Sequence, residues 1–127
     1  MPTVLIVDDC RAVRKTLRTL LEKQCLVVCI EATNGCEAIA KTKESCPELI
    51  ILDLGMPGMN GFEAATILHK MKPKVPLFMF TSHDSRDVEP QAASVGIRAV
   101  FSKYTGINAL LAQVSDLLNP FHALVTN

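Results

Sequence analysis

Five short, almost continuous apolar runs alternate along this chain with longer stretches whose apolar residues recur at helical spacing. The runs are Val4–Val7, Val27–Ile30, Leu49–Leu52, Leu77–Phe80 and Ala99–Phe101. Each is too short for a helix and most of their side chains are branched or aromatic, so each reads as a strand. Apolarity without alternation implies burial on both faces, the condition of a parallel sheet covered by helices. Between the runs, Val13, Leu17, Leu20 and Leu21 share one helical face, and Ile107, Leu110, Leu111, Val114, Leu117 and Leu118 repeat the pattern. Asn34-Gly35 precedes a weaker helix through Ile39 and Ala40, and Pro57, Gly58, Asn60 and Gly61 form a loop before a helix holding Phe62 and Leu68.

The fourth helix is expected to be short. Ser82–Asp87 reads as polar loop, Pro90 suits a first helical turn and Gly96 a stop, which leaves roughly two turns and the most mobile part of the chain. Five strands alternating with five helices predict an α/β protein, a doubly wound parallel sheet with right-handed crossovers. A length of 127 residues with 49% hydrophobic content fills one core. Asn119-Pro120 is predicted to end the last helix, giving one domain over 1–119 and a short tail over 120–127.

Composition excludes several function classes. Thirteen basic side chains balance thirteen acidic ones, so no broad field favours nucleic acid or an anionic membrane. Cys10, Cys25, Cys29, Cys36 and Cys46 are an odd number with no CxxC, which argues against a disulfide framework or a zinc site. They are expected to be reduced thiols, most of them small apolar filler, with Cys29 in a strand and Cys36 near a helix start. The opening Met1-Pro2-Thr3 has no basic region, and the apolar run after it is too short for a signal peptide or a membrane span, so a soluble cytoplasmic protein is expected.

In doubly wound sheets ligands gather beyond the carboxyl ends of the strands. Here the first strand ends in Asp8-Asp9, the third in Asp53, the fourth in Thr81-Ser82 and the fifth in Ser102-Lys103. Three carboxylates at about 4 Å repel one another by several kcal/mol at an effective dielectric of about 20, which calls for a hard divalent cation among them. Magnesium, with manganese as a substitute, suits an incomplete oxygen site of this kind. Lys103 supplies a fixed positive charge and the Thr81 hydroxyl a donor for a phosphoryl oxygen, while Asp53 can act as a nucleophile and form an acyl phosphate. Taken singly, an Asp-Asp pair is more often a solvated turn or a cap, and a lysine after a strand a surface charge; their joint placement at one rim reverses that reading.

Val4-Leu5-Ile6-Val7-Asp8-Asp9, the stretch Ile51–Gly61 with Asp53 at its head, Thr81-Ser82 and Phe101-Ser102-Lys103 together resemble the response-regulator receiver domain of two-component, chemotaxis-type signalling, over essentially the whole chain. The resemblance implies a flavodoxin-like sheet of order 2-1-3-4-5. It implies that Asp9 and Asp53 ligate magnesium directly, that Asp8 acts through water, and that the backbone carbonyl of Gly55 completes the set. A sensor histidine kinase or histidine phosphotransfer protein would be the phosphoryl donor and a downstream effector protein the listener. The domain would catalyse only its own phosphorylation and dephosphorylation. Pro90 and a short fourth helix predict a monomer before phosphorylation, with dimerisation through the fourth and fifth helices open afterwards.

Two positions depart from the family pattern. Val100 stands where the family has a switch Tyr or Phe, and Phe101 should face the opposite side of its strand and be core. Tyr104 stands where a proline, often cis, follows the lysine; a cis bond there without proline costs about 2.5–4 kcal/mol, so a trans, remodelled loop is the alternative. His83 and Met56 fall near the mouth of the site, His83 reading more readily as a solvated loop residue than as a gate. His69 and His122 show no metal spacing. A binding module that works without phosphate is the competing function. A hydrolase is disfavoured because Asp53-Leu54-Gly55 lacks the second carboxylate of an Asp-x-Asp nucleophile motif.

Overall fold

The computed structural model describes residues 1–119; the predicted tail over 120–127, with His122 in it, lies outside the described residues. Strands and helices alternate as β1 Thr3–Val7, α1 Arg11–Gln24, β2 Val28–Ala32, α2 Gly35–Ser45, β3 Leu49–Leu52, α3 Gly61–Met71, β4 Leu77–Thr81, α4 Ser85–Ser94, β5 Ile97–Ser102 and α5 Ile107–Leu118. All strand pairs are parallel and the order is β2-β1-β3-β4-β5, the flavodoxin-like arrangement. Among the described residues no helix is long and apolar enough to cross a membrane.

The sheet divides the core in two. Ile6, Ile51, Phe78 and Phe101 pack with Leu17 and Leu21 of α1 and Leu110 and Val114 of α5 on one face. Leu5, Leu52 and Met79 pack with Ala38 of α2, Ala64 and Leu68 of α3, and Val88 and Ala92 of α4 on the other. The continuous apolar runs have their physical basis here, because β3 and β4 are buried at every residue and β1 from Val4 onward. The edge strands β2 and β5 are buried only in part.

Four expectations need correction. First, β2 begins after Val27 and extends through Glu31 to Ala32. Leu26 has a positive φ of 54°, so the chain is still turning there, and Glu31 tolerates its strand position because its carboxylate reaches outward to Arg14 and Arg18. Second, β5 runs from Ile97 to Ser102 rather than Ala99–Phe101, since an edge strand accommodates an exposed Arg98.

Third, α4 starts at Ser85, with Asp84 accepting a hydrogen bond from Arg86 N, and carries Pro90 in its interior rather than its first turn. The proline lacks the N–H that would bond the Arg86 carbonyl, a loss of about 3 kcal/mol in an isolated helix. The cap and the burial of Val88 and Ala92 against the sheet offset it. Fourth, only Cys25 and Cys29 are core residues; Cys10, Cys36 and Cys46 are exposed, because each sits at a helix end on the surface of the fold.

Candidate functional site

Register brings the strand ends together. Val7 of β1 lies beside Leu52 of β3, and Thr81 of β4 beside Ser102 of β5. Hydrogen bonds continue one step past the ladders: Asp53 N donates to Val7 O at 2.9 Å, Asp8 N to Ala32 O at 3.1 Å and Lys103 N to Thr81 O at 2.8 Å. Asp8, Asp53, Thr81 and Lys103 therefore emerge level at one rim. The carboxylates of Asp8, Asp9 and Asp53 offer oxygens that all lie within 4.8 Å of one another. Asp8 and Asp53 are buried and Asp9 is exposed, so the cluster opens to solvent on the Asp9 side.

The ammonium of Lys103 lies 2.7 Å from Asp8 Oδ2 and 3.4 Å from Asp53 Oδ1. Burial pulls its pKa down, but the hydrogen bond to Asp8 and the charges of Asp53 and Asp8 more than reverse that, leaving it above the ordinary lysine value. Burial, followed by the charge of Asp8, raises the pKa of Asp53, and Lys103 opposes the rise. One ammonium among three carboxylates leaves the rim short of positive charge, and oxygen donors in a half-open cluster fit a hard divalent cation. Gly55, whose carbonyl the family resemblance implies as a further ligand, lies exposed in the loop after β3.

The two departures from the family pattern have structural outcomes. Among the described residues no peptide bond is cis, so Lys103–Tyr104 is trans, and Tyr104 is exposed. The loop is organised instead by Ser102, whose Oγ accepts from Tyr104 N at 3.1 Å and Thr105 N at 3.3 Å, and by Gly106 N donating to Ser102 O at 2.8 Å. Gly106 approaches so closely that a Cβ there would stand 2.6 Å from Ser102 N. Lys103 thus reaches both aspartates without the proline. Phe101 is buried against Phe78 in an edge-to-face pair with centroids 5.4 Å apart, while Val100 packs partly buried on the other face, as their alternation along β5 requires.

Thr81 is buried, and its hydroxyl is already engaged: His83 N donates to Oγ1 at 3.2 Å, and His83 Nδ1 lies 3.2 Å from the same oxygen. His83 is exposed, as a loop histidine should be, yet it touches the site, and its Cε1 is 3.6 Å from where a Cβ on Gly55 would stand. Met56 is buried in the core beneath the loop. Sequence reasoning missed Arg14, whose Nη1 donates to Asp8 O at 2.7 Å and whose Nε donates to Glu31 Oε1 at 2.9 Å. The available signal was a charged residue, Glu31, following an apolar run on the strand next to β1.

Residues 4–115 match the family described as response regulator receiver domain. The chain is 31% identical over 118 residues to a putative transcriptional regulator of Pseudomonas aeruginosa, covering 93% of this chain and 57% of that protein, so it spans little more than half of that relative. It is 34% identical over 95 residues to the chemotaxis protein CheY of Thermotoga maritima, covering 75% of this chain and 79% of that one. The solved structure of chemotaxis protein CheY4 of Vibrio cholerae superimposes with a TM-score of 0.83 at 28% identity, covering 93% of this chain and 99% of that one.

Proposed function

We propose that this chain, which belongs to the response regulator receiver domain family, accepts a phosphoryl group on Asp53 from a histidine kinase or phosphotransfer protein, in a magnesium-dependent reaction in the cytoplasm, and thereby switches its binding to an effector protein. The observation that carries this reading is the gathering of Asp8, Asp9 and Asp53 within 4.8 Å, with the Lys103 ammonium 2.7 Å from Asp8 at the same rim. Phosphoryl transfer asks a protein chiefly for positioning and charge neutralisation. Magnesium held by Asp9, Asp53 and the Gly55 carbonyl, with Asp8 bonding its waters, would supply two positive charges to the carboxylates and the phosphoryl oxygens.

Asp53 is the nucleophile. Its carboxylate oxygen bonds phosphorus as the P–N bond of a phosphohistidine breaks, and the imidazole leaves with the electron pair and takes a proton. Burial and the charge of Asp8 both disfavour the bare Asp53 carboxylate, which sharpens its need for a cation. Lys103, already 3.4 Å from Asp53, pairs with a new phosphoryl oxygen. Thr81 donates its hydroxyl to another by turning from His83.

Incubation with magnesium and acetyl phosphate should add one phosphoryl group in a hydroxylamine-labile bond, and Asp53→Asn should abolish it. An unmodified mass in protein shown to be folded would overturn the reading. A phosphate-independent binding module is the second reading, favoured by Val100 in place of a switch aromatic; partner binding unaltered by Asp53→Ala would establish it.

A further inference from the structure

Asp8 is held at every polar atom it has. Its N donates to Ala32 O at 3.1 Å, its Oδ1 accepts from Cys10 N at 2.8 Å, its Oδ2 from Lys103 Nζ at 2.7 Å, and its carbonyl oxygen from Arg14 Nη1 at 2.7 Å. The last bond comes from the first turn of α1 and reaches back over the turn that carries the acidic pair. A carbonyl past the end of a strand ladder has no sheet partner, and water would ordinarily serve. Here a guanidinium serves instead, its side chain only 11% exposed.

That guanidinium is itself aimed. Glu31 of β2 accepts from Arg14 Nε at 2.9 Å through Oε1 and from Arg18 Nη1 at 2.9 Å through Oε2, and Arg18 Nε lies 3.5 Å from Glu22 Oε1. The fork geometry of arginine lets one side chain hold Glu31 and the Asp8 carbonyl together, which a lysine cannot reproduce. Peptide planarity then carries the effect forward. The carbonyl carbon and oxygen of Asp8 share a plane with the nitrogen and Cα of Asp9. Fixing the direction of the Asp8 carbonyl therefore fixes the Cα from which the Asp9 side chain departs.

We infer that Arg14 is a positioning residue of the acidic site: by gripping the peptide between Asp8 and Asp9, and being gripped by Glu31, it aims the exposed Asp9 carboxylate into the cluster with Asp53. The inference rests on the proposed reading of that cluster as a divalent-metal site. Charge and position predict opposite signs for it. By charge alone a guanidinium beside the site repels a dication, so its removal would tighten metal binding; by position, its removal loosens Asp9 and weakens it.

Mg2+ binding is measured by titration calorimetry on the wild type and on Arg14→Gln, Arg14→Lys and Glu31→Gln, with unfolding curves to establish that each is folded. Arg14→Gln is expected to weaken Mg2+ by about 10- to 100-fold, the usual cost of losing a residue that orients a metal ligand. Arg14→Lys, with charge kept and fork lost, and Glu31→Gln, with Arg14 kept and its aim loosened, should each weaken it by a smaller factor. Should Arg14→Gln fail to fold, those two decide the matter. Unchanged or tighter Mg2+ binding in the folded variants, beside a wild type that binds, overturns this inference alone. A wild type that takes no Mg2+ overturns the metal reading and this inference with it.

Discussion

Lys103→Met should tighten the binding of Mg2+. The ammonium sits 2.7 Å from Asp8 Oδ2 and 3.4 Å from Asp53 Oδ1, with side-chain exposures of 4% and 8% for the two aspartates, so it serves both as a cation. A charge-assisted hydrogen bond in such a place is worth about 1.5–3 kcal/mol net. If a dication must loosen it to enter, its apparent affinity is lowered by that amount, roughly 10- to 100-fold at 1.4 kcal/mol per decade. Removing the ammonium lifts the competition and leaves buried carboxylates unpaired, so the gain should be at least about tenfold. Titration calorimetry of Mg2+ at pH 7.5 and constant ionic strength reads it directly. The same variant should be less stable than the wild type without metal, and its melting temperature should rise further on adding Mg2+. Equal or weaker Mg2+ binding in folded Lys103→Met would refute the idea that lysine and metal share the same carboxylates.

Two other outcomes test the fold around the site. A Cβ at Gly61 would stand 2.3 Å from Asp53 O and 2.8 Å from Leu54 Cα, both backbone; Gly61→Ala should therefore cost about 1–3 kcal/mol in urea unfolding and weaken Mg2+ binding as the β3–α3 loop shifts, and a change within about 0.5 kcal/mol would contradict the packing. Iodoacetamide at pH 8 should label Cys10, Cys36 and Cys46 in native protein and spare Cys25 and Cys29, whose thiols burial pushes up, Cys29 to about 12; labelling of Cys29 at the rate of Cys36 would show that the α1–β2 core is open.

What could be read from sequence was what repeats or what ends a repeat. The runs at Val4–Val7, Leu49–Leu52 and Leu77–Phe80 lie in strands buried on both faces, so each residue carries the same signal. The polar residues ending those runs had to meet at one rim once the strands were parallel, and the register puts them there. Less legible were the places where one contact offsets a local penalty. Pro90 argues against a helix beginning before it, and only the burial of Val88 and Ala92 and the Asp84 cap decide otherwise. Glu31 breaks an apolar run, and only Arg14 and Arg18, in the preceding helix, make it a strand residue. The exposure of Cys10, Cys36 and Cys46 depends on which turn of which helix faces out, which composition does not encode.

The acidic pair shows most clearly what geometry adds to a motif. In sequence Asp8 and Asp9 are adjacent and chemically identical, and a count of carboxylates treats them alike. In the fold, Asp8 is buried with both carboxylate oxygens already engaged, one by Cys10 N and one by Lys103, while Asp9 is exposed beside it. For Asp8 to bond a cation it must give up a charge-assisted hydrogen bond in a low-dielectric place, whereas Asp9 would give up chiefly contact with water. Under the proposed metal reading, that inequality supplies a physical reason for Asp9 to be the readier ligand and Asp8 the one that acts at one remove. Lys103 helps to create it, from a loop that Ser102 and Gly106 shape. The departure at Tyr104 therefore leaves the charge arrangement intact, while the departure at Val100 lies partly buried on the sheet face that packs against α3 and α4.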